Sequence, residues 1–269
     1  LILPPASSLT QYNYDLVFNA FAVRRVARLN RPIGERGEDE RADWEIINGL
    51  GAAIAATGGR EWTPLPPPRA AIAAGLERGG SGLDIDALEA AEHGMDLGAL
   101  RPSLLSRLET PHGRIDCAPE PLLSELHRLL ATEAVAARAD GELRLIGRRE
   151  LRSNNSWMHN APRLVKGKPR HQLLMHPQDL AQRGLRSGGR VRISSRVGSI
   201  ETDALASEDM MPGVACLPHG FGHDREGTAL QRANTVVGAS YNDLSDPEWL
   251  DGACGNAALN GIPIRVEPA

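Results

Sequence analysis

Three arginines and a run of amide side chains are the residues best equipped for chemistry in this chain. Residues 143–160 read LRLIGRRELRSNNSWMHN. A short apolar run (Leu143, Leu145, Ile146) ends at Gly147, and Arg148, Arg149 and Arg152 lead into SNNSWMHN. Guanidinium forks match phosphate oxygens, which makes Arg148 and Arg152 candidates for an anion. Asn154, Asn155 and Asn160 each carry a donor and an acceptor in one amide, a pairing that suits the edge of a heterocycle. Ser153, Trp157 and His159 add a hydroxyl and two rings. The same residue types also form turns bonded to their own backbone. The segment is therefore either a binding loop set on a strand end or a turn.

Two later stretches share this character. Residues 217–224, LPHGFGHD, place His219 and Gly220 among close glycines that let a ligand approach the backbone. Residues 240–261 form a long polar loop with Asn242, Asp243, Asn256 and Asn260, and a loop of that length in a small domain is usually functional. Other signals are missing. There is no GxGxxG, P-loop, HExxH or GxSxG. The eight histidines form no ligand-spaced cluster, and His171 and His176 are separated by a strand and a turn. Cys117, Cys216 and Cys254 are far apart, with no CxxC pair for zinc or iron–sulfur binding. They read as small buried residues. No metal ligand or catalytic residue is assigned. So few cysteines suit a reducing compartment, and the expected location is cytoplasmic.

The charge is unevenly placed. Residues 143–200 carry thirteen Arg or Lys against Glu150 and Asp179, a net of +11 inside a chain of net −4. A basic segment in an acidic chain points to a polyanion, to an acidic partner, or to a solvated surface. Nucleic acid is the weakest polyanion here, since aromatic residues make up 4% of the chain and the surroundings are acidic. A phosphate-bearing cofactor is the other candidate polyanion. No apolar run approaches the length of a membrane span.

The elements that must position these residues divide the chain into three stretches. Residues 1–60 read as the end of an α/β unit: a strand end stopped by Pro4 and Pro5, a largely buried helix over residues 15–29, and a second helix from Ala42 with Trp44, Ile47, Leu50 and Ile54 on one face, closed by Gly58 and Gly59. Residues 61–140 read as an irregular helical bridge, with an extended TPLPPP connector and short helices at 70–78, 84–92 and 120–130. Residues 141–269 read as short strands with one small helix. These are a strand at 171–176, a helix opened by Pro177, a hairpin over 190–207, strands at 214–218 and at the C-terminus, and hence a compact β-barrel.

The order of these stretches resembles the C-terminal half of the molybdopterin oxidoreductases, the dimethyl sulfoxide reductase superfamily. The resemblance runs through IGRRELRSNNSWMHN, HQLLMHPQDLAQRGLRSGGRVRISSRVGSIETDA, MPGVACLPHGFGH, YNDLSD and IPIRVEP, about the last 125 residues; residues 1–56 resemble the family's preceding α/β domain. It implies a mixed α/β fragment followed by a six-stranded double-psi β-barrel that holds a molybdopterin guanine dinucleotide bearing molybdenum or tungsten. By position in the motifs, Arg148, Ser153, Asn154, Trp157, His159 and Asn160 would line the pterin and phosphate side. Asn242 and Asp243 would contact the pterin or guanine, and His219, Gly220 and Asn256 are carried over with them. The family's iron–sulfur motif and metal-ligand segment have no counterpart here. The expectation is a cofactor-binding part, inactive alone, that works with the rest of the same enzyme chain or a separate catalytic subunit on a small-molecule substrate. A non-catalytic barrel used for binding or assembly is the other expectation.

Overall fold

The computed structural model describes residues 3–14, 19, 21–131, 141–226 and 230–269. It divides into two units, Leu1–Ile115 and Asp116–Ala269.

The first unit contains four short strands: β1 (Asn13–Tyr14), β2 (Arg24–Ala27), β3 (Leu29–Asn30) and β4 (Met95–Ala99). β1 pairs with β3 and β2 with β4, both antiparallel. Three helices lie between β3 and β4: α1 (Asp43–Thr57), α2 (Pro68–Arg78) and α3 (Ile85–Ala90). Each has a readable start. The Ala42 N–H donates to the Glu45 carboxylate at 2.7 Å, Pro68 opens α2, and the Asp84 carboxylate accepts from the N–H groups of Asp86 and Ala87. Ala27, Leu29, Leu76 and Leu88 form the small core.

Two expectations change here. The helix expected over residues 15–29 does not run its length: Asn19 is helical, but residues 24–27 and 29–30 are strands, and Phe21 and Val23 lie exposed. The apolar residues there are dense but keep no helical period, and pairing with β1 and β4 consumes the backbone bonds a helix would need. Residues 15–18 and 20, like Leu1 and Ile2 of the expected strand end, fall outside the described residues. The expected apolar face of α1 is present in sequence but not buried, with Ile47, Leu50 and Ile54 all exposed. From the stretch read as a bridge, α2, α3 and β4 sit within the first unit.

The second unit begins with α4 (Glu120–Ala131) and continues into β5 (Leu143–Arg148), β6 (Gln172–Met175), β7 (Arg190–Ser194), β8 (Ser199–Ala206), β9 (Val214–Pro218) and β10 (Ile262–Pro268). A four-residue helical turn, α5 (Pro162–Val165), precedes β6, and α6 (Pro177–Gln182) follows it. The six strands close into a barrel in the order β10, β5, β9, β6, β8, β7. Two pairs, β5 with β9 and β6 with β8, are parallel, and the other contacts are antiparallel. This is the double-psi β-barrel that the motif order implied. Alternation places Leu143, Leu145, Leu173, Met175, Val191, Ile193, Ile262 and Ile264 inside, each at most 1% exposed. Pro177 opens α6 and the His176 ring accepts from the Gln178 N–H at 3.1 Å. The buried Asp179 carboxylate accepts from the Gly213 N–H at 2.6 Å, tying α6 to the turn before β9.

Candidate functional site in the loops above the parallel strands

Parallel pairing decides where the loops emerge. β5 and β9 lie side by side with Arg148 opposite Pro218, so the segments that follow them leave the barrel at one end. The His219 N–H donates to the Arg148 carbonyl at 3.2 Å and carries the pairing one step further. β6 runs antiparallel to β9, which puts its first residues at the same end. Residues 150–171, 221–225 and 235–243, with Arg190 and residues 201–203, enclose a cavity of about 710 Å³ there. A second, more open cavity of about 620 Å³ adjoins it, sharing Arg225 and Asp243 and adding Asn242 and Gly198.

The residues expected from sequence separate into three groups. Arg152, Ser153, His159 and Asp243 line the larger cavity, and Asn242 with Asp243 lines the second. Arg148, Asn154, Trp157, Asn160, His219 and Gly220 line neither. Arg148 donates to the Arg170 carbonyl at 3.2 Å and so holds the strand that enters β6. His219 bonds the Asn155 side-chain oxygen at 2.8 Å, and Arg149 donates to the same oxygen at 3.1 Å. Gly220 sits at φ +88°, where a Cβ would lie 2.0 Å from the Asn155 carbonyl oxygen, so this crossing of two loops requires glycine. Asn154 and Asn155 themselves adopt φ of +43° and +62°. Part of the amide run thus shapes its own turn, the second of the two readings that the sequence allowed. Trp157, 77% exposed, points away from the barrel core. Asn256 is exposed in the loop before β10, outside both cavities.

Several lining residues were not singled out from sequence. Lys166, Lys168 and Arg170 appeared there only as charge. Phe221 and Gly222 lay within the LPHGFGHD stretch without being named, and residues 235–240 gave no motif because tertiary contacts alone bring them to the cavity. Gly222 has φ +90°, and a Cβ there would lie 2.7 Å from the Ser240 nitrogen, so these two loops also meet backbone to backbone.

The electrostatics follow from pairing and burial. Arg170 lies 3.6 Å from Glu150, Arg190 lies 3.6 Å from Asp203, and Arg225 pairs with Asp243. Arg152, Lys166 and Lys168 make no ion pair with the described residues, so three of the cavity's cations are left available to an anion. His171 is buried beside Phe221, at a ring separation of 4.9 Å, with Nδ1 3.0 Å from the Thr202 hydroxyl. Burial pushes its imidazole down to about 4, and the Arg148 and Arg190 charges push the same way while the Ala239 backbone opposes them. Its Nε2 is buried without a hydrogen-bond partner among the described residues. His159 is also held below its ordinary value, first by burial and then by His223. Burial raises the Cys216 thiol and the Tyr241 phenol, the latter to about 12. Of the cysteines read as buried, only Cys216 is; Cys117 and Cys254 are exposed. Among the described residues, no group of three or more His, Cys, Asp or Glu could hold a metal ion.

Available cations and glycines that bring backbones together fit a phosphate-bearing ligand. Fold and site define a double-psi barrel whose loop end encloses a cavity lined by cations. Residues 143–263 match the family described as "Molydopterin dinucleotide binding domain". A tetrathionate reductase subunit from Salmonella typhimurium is 32% identical over 123 residues, which is 39% of this chain and 12% of that protein. The arsenate respiratory reductase molybdopterin-containing subunit of Chrysiogenes arsenatis is 30% identical over 129 residues, 45% of this chain and 15% of that protein. Biotin sulfoxide reductase of Cereibacter sphaeroides is 30% identical over 110 residues, 40% of this chain and 14% of that protein. The chain thus aligns with about one seventh of the length of these relatives. Acetylene hydratase from Pelobacter acetylenicus shares the fold, with a TM-score of 0.58 at 16% identity, covering 99% of this chain and 38% of that one. Among the described residues, no helix is long and apolar enough to cross a membrane.

Proposed function

We propose that this chain is the cofactor-holding part of a molybdenum or tungsten oxidoreductase and that its barrel loops grip a molybdopterin guanine dinucleotide. The observation that carries the reading is the cavity of about 710 Å³ within the matched stretch, lined by Arg152, Lys166 and Lys168 without carboxylate partners among the described residues. These three would meet phosphate oxygens. Ser153, His159 and His171 would offer hydrogen bonds to the pterin side. Asn242 and Asp243, in the adjoining cavity, would meet the pterin or guanine. Arg148, His219 and Gly220 would serve from behind by fixing the loops. Asn154, Trp157, Asn160 and Asn256 would take part only through contacts made with the rest of the enzyme.

The cofactor, when bound, supplies the redox chemistry; the protein binds, orients and shields it. Metal ligation and any iron–sulfur cluster would come from the rest of the same chain or from a partner protein, and the 269 residues alone would not turn over a substrate. A cytoplasmic setting accords with the sparse cysteines. The test is metal and pterin analysis of the intact gene product purified without oxygen from molybdate-replete cells. Molybdenum or tungsten with pterin is expected, with less of both in His159→Ala and in Asn242→Ala. An intact protein without metal or pterin would sink the reading, and unchanged pterin in both variants would remove those two residues from it.

A further inference from the structure

The Gly220 carbonyl sets the protonation of a histidine at the cavity wall. His223 Nε2 lies 2.9 Å from the Gly220 carbonyl oxygen and 2.9 Å from His159 Nδ1. A carbonyl oxygen only accepts, so the first contact requires a proton on His223 Nε2. That N–H is shared between two acceptors, and His159 Nδ1 must present its lone pair to it. A neutral imidazole then carries its single proton on the other nitrogen, so His159 is the Nε2–H tautomer. A second proton on His159 would set two N–H groups against each other, and the site, where His159 is 2% exposed, also disfavours charge.

The arrangement is fixed from behind. Gly220 lies where its loop crosses the Asn155 carbonyl, too close to it for a Cβ. Phe221 packs on the His159 ring at a centroid separation of 4.7 Å, and the His223 ring meets it edge-on at 5.1 Å. His159 Nε2 makes no hydrogen bond with the described residues, and His159 lines the cavity.

We propose that His223 is a positioning residue that locks His159 as a neutral Nε2–H donor, so that the cavity presents a fixed donor there to an acceptor atom of the bound ligand. This rests on the dinucleotide reading and specifies which chemistry the wall offers: an acceptor oxygen or ring nitrogen is welcomed, a donor or a cation is not.

The experiment is long-range 1H–15N correlation spectroscopy of the histidine side chains in the 269-residue chain at neutral pH, with His159→Gln to assign the signals. A bare Nδ1 and a protonated Nε2 on His159 are expected. In His223→Ala the ring should become a mixture of tautomers, while His223→Gln, which keeps an N–H donor, should restore the single form. A protonated Nδ1, a charged His159, or a tautomer indifferent to both substitutions would overturn the proposal. If His223→Ala does not fold, the unsubstituted chain and His223→Gln decide it alone. The outcome is separable from the dinucleotide reading: the predicted tautomer in a gene product without pterin defeats that reading only, and the wrong tautomer in a pterin-loaded enzyme defeats this inference only.

Discussion

The two units bury their apolar residues very differently. In Asp116–Ala269 the barrel seals a core of sixteen buried residues, from Leu143 to Val266, many of them at 0% exposure. In Leu1–Ile115 the core cluster holds four, and α1 buries none of its residues. A closed barrel satisfies its backbone and fills its interior with its own side chains. Large apolar side chains are exposed to 70% or more in both units, Phe21, Val23, Ile33, Ile54 and Leu105 in the first and Leu130, Leu151, Trp157 and Val237 in the second, so the contrast lies in the cores and not on the surfaces. The barrel has what a self-supporting fold requires, whereas the core cluster of the first unit, among the described residues, is small.

The largest test of that contrast is a pair of truncations. Leu145→Ala, at a fully buried barrel position, should cost about 3 kcal/mol in denaturant unfolding. Ile54→Ala, 70% exposed on α1, should cost less than about 0.5 kcal/mol. Equal losses would erase the distinction. Acid is next. His171 has its pKa lowered in the folded barrel to about 4 against 6.5 unfolded, so the unfolded chain binds more protons between those values. The His171 contribution is complete above pH 6.5 and is lost as the pH falls toward 4, up to about 3 kcal/mol in all. Barrel unfolding followed against pH should show this slope, and His171→Gln should flatten it. Gly222→Ala should cost about 1–3 kcal/mol, since it forces a Cβ onto Ser240 at a positive φ. A neutral result there would mean that the two loops are not held as tightly as their contact implies.

The same contrast explains what could be read in advance. β6, α6, β7, β8 and β9 follow from local signals: alternation, Pro177 at the first helical position, and glycine turns. The residues 15–29 misled because apolar density without a period does not tell helix from strand, and the partners that decided it, Asn13, Tyr14 and residues 95–99, lie outside that window. The site was legible where chemistry sits in one segment, as in Arg152, Ser153 and His159. The His159–His223 contact spans 64 positions and carries no motif, and the cavity wall at 235–240 has an unremarkable composition. Asn256 shows the converse: its residue type suited binding, yet it lies outside both cavities.

That last residue supplies the smallest expected effect. Asn256→Ala should change cofactor retention little, and a loss as large as that of a cavity variant would favour motif order over geometry. The central claim is that Arg152, Lys166 and Lys168, unpaired among the described residues, hold the dinucleotide phosphates. The most direct measurement is pterin content, read by fluorescence after oxidative release, in the intact gene product carrying Lys166→Ala and Lys168→Ala together. A drop of roughly tenfold or more is predicted from the loss of two charge-assisted contacts; pterin retained at the level of the unsubstituted enzyme would contradict the account.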